Sequence, residues 1–253
     1  MVFYYSLDPV LFHLGPLEIR WYGIIYVLGF VLAYFMLKYL VKLKKLPLSA
    51  KDIEDLMFYE MIGVVIGARI FYILFYNLSS YAANPLSVFA VWQGGLSFHG
   101  GLAGAFLAGW LFCRKRNFDY LALADLVVIP ASLALSFGRI ANFINGELVG
   151  RVATVPWAVQ FPGYDGARHP SQLYESGKNI LIFSMLWILK NREYKKGTLF
   201  AAFIILYSSL RFFIEFFRAP DPQLGFLVFG LTMGQILNIA MLMIGLWVFY
   251  KTR

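Results

Sequence analysis

Leu121-Ala122-Leu123-Ala124-Asp125-Leu126-Val127-Val128-Ile129-Pro130-Ala131-Ser132-Leu133-Ala134-Leu135-Ser136-Phe137-Gly138 runs straight into Arg139-Ile140-Ala141-Asn142-Phe143-Ile144-Asn145-Gly146-Glu147-Leu148-Val149-Gly150. The first part is apolar apart from Asp125, Ser132 and Ser136 and long enough to cross a bilayer as a helix, since roughly 20 residues rising 1.5 Å each span about 30 Å. The second part sets a cation, two amides and a carboxylate among glycines where the apolar run ends. At a membrane edge these groups can offer several hydrogen bonds to an anionic oxygen while the backbone stays close to the ligand. A phosphate suits such a site; the alternative is a polar loop that only caps the helix.

The rest of the chain repeats the apolar theme. Of its 253 residues 60% are hydrophobic and 19% aromatic, where soluble domains average roughly 45–50% apolar. The expectation is an all-α integral membrane protein. Seven transmembrane helices are expected, near 21–38, 56–76, 88–112, 121–138, 177–190, 198–217 and 229–250. They form a single polytopic domain over 1–253, and the insertion 139–176 is a small extracytoplasmic head, rich in Pro, Gly and aromatic residues and so in turns.

The net charge of +8 does not point to nucleic acid, because the basic residues lie in short clusters between runs. Lys38, Lys42, Lys44, Lys45 and Lys51 follow the first run, Arg114, Lys115 and Arg116 the third, and Lys190, Arg192, Lys195 and Lys196 the fifth; Lys251 and Arg253 end the chain. With seven spans every cluster falls on one side. The positive-inside rule makes that side cytoplasmic and puts the N-terminus and the head outside. The first run is too long for a signal-peptide core, and its lysines follow it. Cys113 is the only cysteine and is expected to be inert, at the cytoplasmic end of the third span. Three scattered histidines at 13, 99 and 169 give no metal site. No internal repeat is visible, which weakens a transporter reading.

Several spans carry polar residues that lipid would not tolerate. Tyr207, Arg211, Glu215 and Arg218 are spaced by four, four and three, so they share nearly one helix face, and that face should meet a protein-lined or ligand-filled cavity. An Arg211–Glu215 bridge that only locks helices together is the plainer reading. His99 sits between Gly94-Gly95 and Gly100-Gly101 at the outer edge of the third span, where an imidazole can exchange protons near neutral pH or make a structural hydrogen bond. Gly101, Ala105 and Gly109, with Gly104 and Ala108, form a small-residue packing face. Glu60 and Arg69 lie too far apart on one helix to pair, and Asp125 is one possible partner for Arg69. Arg168 to Glu175, with Pro170, reads as the start of a helix.

Together these pieces resemble the bacterial prolipoprotein diacylglyceryl transferase family. The resemblance rests on Gly138 to Gly150 and on Arg20-Trp21-Tyr22-Gly23, the glycine-flanked His99, His169-Pro170-Ser171-Gln172-Leu173-Tyr174-Glu175, and Tyr207 through Arg211 and Glu215 to Arg218. It implies a bacterial cytoplasmic (inner) membrane enzyme of lipoprotein biosynthesis. Such an enzyme moves the diacylglyceryl group of phosphatidylglycerol to the lipobox cysteine of a preprolipoprotein signal peptide, forming a thioether and releasing glycerol phosphate. Arg139 and Arg211 would hold the lipid phosphate, and His99 would take the thiol proton, with Glu147 or Glu215 as alternatives. Tyr22, Asn142, Asn145, Gly150, His169, Tyr207 and Arg218 would bind and orient substrate. No cofactor or metal is implied, and the chain is expected to act as a monomer. A lipid transporter or channel, or another phospholipid head-group transferase, is the competing reading.

Overall fold

The computed structural model describes residues 3–90, 94–219, 227 and 230–252. Residues 91–93 of the expected third run, 229 at the start of the seventh and the terminal Arg253 lie outside them. The chain opens with β1 (Phe3–Tyr4) and the antiparallel pair β2 (Val10–Leu14) and β3 (Leu17–Arg20), then α1 (Trp21–Leu43), α2 (Ala50–Tyr76), the short α3 (Leu78–Ala83) and a 3-10 turn, Pro85–Phe89. α4 (Phe98–Arg116), α5 (Tyr120–Ile144), β4 (Val159–Gln160), α6 (Ser171–Leu189) and α7 (Thr198–Ile214) follow; a 3-10 turn, Glu215–Phe217, extends α7, and α8 (Met233–Lys251) comes last.

Each expected apolar run falls on a long helix, and three boundaries move for physical reasons. The third begins only at Phe98, because Gly94 and Gly95 take φ of +85° and +75°, which a right-handed helix does not allow; Ser97 caps it by accepting from Gly100 N. The fourth continues past Gly138 to Ile144, so Arg139 and Asn142 are helical, and Gly146 in the left-handed region (φ +67°) ends it. The fifth begins at Ser171, because the buried face of α6 is polar in its first half (Gln172, Glu175, Lys178, Asn179) and apolar in its second (Ile182, Leu186). A hydropathy window sees only the second half.

Among the described residues five helices are long and apolar enough to cross a membrane: α1, α2, α5, α7 with its 3-10 extension, and α8. The faces they turn away from the protein agree. Val27, Phe30, Val31 and Phe35 on α1 and Met243, Ile244 and Trp247 on α8 are exposed, as expected where lipid rather than water is the solvent.

The chain forms two compact units. The first comprises Met1–Leu43 and Ala124–Arg253. Its interior joins Leu37 and Leu40 of α1, Ile129 of α5, Ile182 and Leu186 of α6, and Leu199 and Ile204 of α7. Asp125 accepts hydrogen bonds from Gly197 N (2.7 Å) and Phe200 N (2.8 Å) at the start of α7, a stabilising place for a carboxylate. In the 139–176 segment β4 pairs in parallel with β1, over a small core of Val149, Val159 and Phe161 closed by Tyr5 and Phe143.

The second unit is Lys44–Leu123. α2 and α4 cross on glycines: Gly63 faces Gly104 and Gly67 faces Gly100, so the helices are antiparallel, and a Cβ on Gly63 would come within 2.7 Å of Gly104 O. Of the expected small residues Gly104 and Ala108 meet α2 most closely and Gly101 is in ordinary contact, while Gly100, outside that set, is a second point of close approach. Asp125 is not the partner of Arg69. The buried Arg69 guanidinium instead donates to the carbonyls of Ser87 (2.6 Å), Val88 (3.0 Å), Ala90 (3.3 Å), Gly94 (2.6 Å) and Gly95 (3.2 Å), which ties down the chain that leads to His99.

Candidate active site

The polar groups expected of the first unit converge on one carboxylate. Glu175, one turn into α6 and 2% exposed, meets Arg139 Nε of α5 at 3.1 Å, Arg218 Nη1 at 3.2 Å, Arg211 Nε of α7 at 3.6 Å and Lys178 Nζ at 3.9 Å. Arg211 also pairs with Glu215 one turn on, and Glu215 accepts from Thr232 Oγ1, the N-cap of α8, at 3.1 Å. Tyr207 lies one turn before Arg211, within electrostatic reach of Arg139, and its ring lies 3.7 Å from Lys178 Nζ. Three guanidiniums thus surround two carboxylates with the Lys178 amine beside them, leaving an excess of at least one positive charge in a poorly solvated interior. Such an excess favours an anionic guest.

Beside this cluster the end of α5 folds into a second polar group. Glu147 accepts from Asn142 Nδ2 at 2.7 Å and Asn145 Nδ2 at 3.5 Å. Its carbonyl takes Gln172 Nε2 at 2.5 Å, and the next carbonyl, of Leu148, takes Ser171 Oγ at 3.1 Å. These two bonds from α6 hold Leu148 at φ +55°, a left-handed conformation unusual for leucine. Tyr22 on α1 bonds Tyr26 (3.0 Å) and is within electrostatic reach of Glu147 and Arg139. At Gly150 a Cβ would lie 2.5 Å from His169 O and 2.6 Å from Phe217 O, so only glycine lets these three segments meet there. His169 hydrogen-bonds the Tyr174 hydroxyl at 3.0 Å, which in turn accepts from Trp157 Nε1 at 2.6 Å.

The matching family model is that of prolipoprotein diacylglyceryl transferase, and it covers residues 9–251. The chain belongs to this family. It is 48% identical over 242 residues to a phosphatidylglycerol–prolipoprotein diacylglyceryl transferase of Geobacter sulfurreducens, covering 95% of this chain and 93% of that protein. A protein of the same name from Coxiella burnetii is 45% identical, covering 100% and 99%; one from Legionella pneumophila is 44% identical over the whole of both. Membership of a transferase family decides against the channel or transporter reading.

Of the residues expected from the sequence, the first unit brings together Tyr22, Arg139, Asn142, Asn145, Glu147, Tyr207, Arg211, Glu215 and Arg218, while Gly150 and His169 sit where the 139–176 segment meets the end of α7. His99 belongs to the second unit, exposed on the first turn of α4. Two members of the cluster were not expected. Glu175 reads from sequence as part of a helix start, and Lys178 lies in an apolar run; their spacing of three, which puts both on the buried face of α6, is the signal that could have found them.

Proposed function

We propose that this chain transfers the diacylglyceryl group of phosphatidylglycerol to the lipobox cysteine of a preprolipoprotein signal peptide, in a bacterial inner membrane. The observation that carries this reading is the cation excess around Glu175. Phosphatidylglycerol is a phosphodiester with one negative charge. In the reaction the thiol sulfur attacks the glyceryl methylene carbon, the C–O bond to phosphate breaks with its electron pair on oxygen, and the thiol proton is returned to the released glycerol phosphate. Charge on the phosphate therefore rises as the bond breaks, and fixed cations stabilise that state more than the bound lipid. Arg139, Arg211 and Arg218 face this charge with N–H groups that Glu175 does not use. Tyr22, Asn142, Asn145 and Tyr207 orient the head group, while Gly150 and His169 support the loop that carries them.

A thiol with pKa near 8.5 needs a base at neutral pH. His99 is the acceptor we assign, and Glu147 is the next candidate. The chain acts as a monomer, with the 139–176 head of its one polytopic domain outside and its C-terminus cytoplasmic. The test is to incubate the purified protein with phosphatidylglycerol vesicles and a lipobox peptide and weigh the peptide. A mass gain of one diacylglyceryl group that is lost in Arg139→Ala is expected; no gain with the unaltered protein, or gain of the whole phospholipid head group, rejects the reading.

A further inference from the structure

Among the basic residues of the Glu175 cluster, Lys178 has no role in the proposed transfer. It is 5% exposed, and its Nζ, wholly shielded from solvent, finds no hydrogen-bond acceptor among the described residues. Its neighbours are Glu175 Oε2 at 3.9 Å and the Tyr207 ring at 3.7 Å. As a stabilising ion pair it is poor: Glu175 already meets three guanidiniums, and an ammonium without acceptors is costly to bury. Of those guanidiniums Arg218 alone, among the described residues, hydrogen-bonds Glu175, whose Oε2 is left without a hydrogen-bond partner there. Without Lys178 the cluster of Arg139, Arg211, Arg218, Glu175 and Glu215 has an excess of one positive charge; with Lys178 protonated, two. One matches a phosphodiester. Two match the phosphate that departs.

We propose that Lys178 is a positioning residue for transfer, which in its protonated form acts from beside Glu175 without touching substrate and tunes the arginine cluster to the second negative charge that appears on the phosphate as the C–O bond breaks. The inference rests on the diacylglyceryl-transfer reading. A charge held a few ångströms away in a medium of low effective dielectric changes the relative binding of monoanion and dianion by roughly tenfold or more, so its effect belongs to kcat and to product affinity.

The test compares unaltered protein, Lys178→Met and Lys178→Arg in phosphatidylglycerol vesicles with a lipobox peptide, reading kcat, KM for the lipid, inhibition by glycerol phosphate, and melting temperature. Lys178→Met is expected to lower kcat and weaken glycerol phosphate inhibition by about tenfold or more, with KM within about threefold and no lower melting temperature. Lys178→Arg should recover much of both losses. Unchanged kcat and inhibition in Lys178→Met would overturn the proposal. So would a lowered melting temperature with kcat and KM worsening together, or failure of both Lys178→Met and a second neutral variant, Lys178→Gln, to fold, since either marks a structural lysine. Absence of thioether product with the unaltered protein is a separate result, and rejects the activity instead.

Discussion

Glu175 holds the first unit's cations in one place, so its loss should be felt in stability as well as in activity. Removing one partner of a buried ion cluster costs about 3–5 kcal/mol, and Glu175→Gln should lower the denaturation midpoint accordingly in detergent micelles. Glu18→Gln, which removes an exposed partner of Arg20, should not change it measurably. His99 is tested by pH. If it takes the thiol proton, His99→Gln should slow transfer by roughly 10²- to 10⁴-fold at neutral pH, and alkaline pH should restore part of the rate as the peptide thiol ionises unaided. Near-normal rates from about pH 6 to about pH 9 would move the role to Glu147. His169 answers to pH differently. Burial holds its pKa below the ordinary 6.5, so the unfolded chain binds the proton first and this group's contribution to stability is lost as pH falls below about 6.5. The fall in melting temperature between about pH 7.5 and about pH 5.5 should therefore be smaller in His169→Gln than in the unaltered protein.

At the scale of elements, α4 and α6 are the two long helices that hydropathy describes least well, for opposite reasons. α4 trades apolar side chains for glycines so that its backbone can lie against α2, where van der Waals packing replaces the hydrophobic drive that lipid removes. Gly104→Leu would force a side chain into the backbone of Gly63 and should destabilise the protein by at least the 1–3 kcal/mol typical of overpacking. Gly177→Ala on α6 is the matched control: nothing lies within 4 Å of its Cβ position, and helix propensity favours alanine by about 0.8–1 kcal/mol. Both are read by thermal unfolding in micelles. α6 trades apolar residues for charge in its first half, and that charge is tolerated because Arg139, Arg211 and Arg218 meet it.

At the scale of the molecule, the placement of Lys and Arg clusters predicts which ends of the helices face the cytoplasm. In a Cys113→Ser background, a cysteine introduced by Lys44→Cys should resist an impermeant thiol reagent added to intact cells, and one introduced by Asp165→Cys should react. Reaction at position 44 from outside would reverse the topology. The membrane class, the order of the helices and the signature from Gly138 to Gly150 were legible in the sequence, because length, hydropathy and motif spacing are local properties of the chain. The Tyr207, Arg211 and Glu215 stripe was legible too, since helical periodicity aligns it, whereas Arg218 reaches Glu175 from extended backbone just past the helix end. The start of α6 was not, because a buried polar face and a solvated helix start have the same composition. The partners of Arg69 were not either: five backbone carbonyls carry no side-chain signature that a sequence could display. Nor could spacing show that residues from α5, α6 and α7 gather on Glu175, or that Lys178 turns inward beside it. Those depend on helices far apart in the chain coming within a few ångströms, and only tertiary packing decides that.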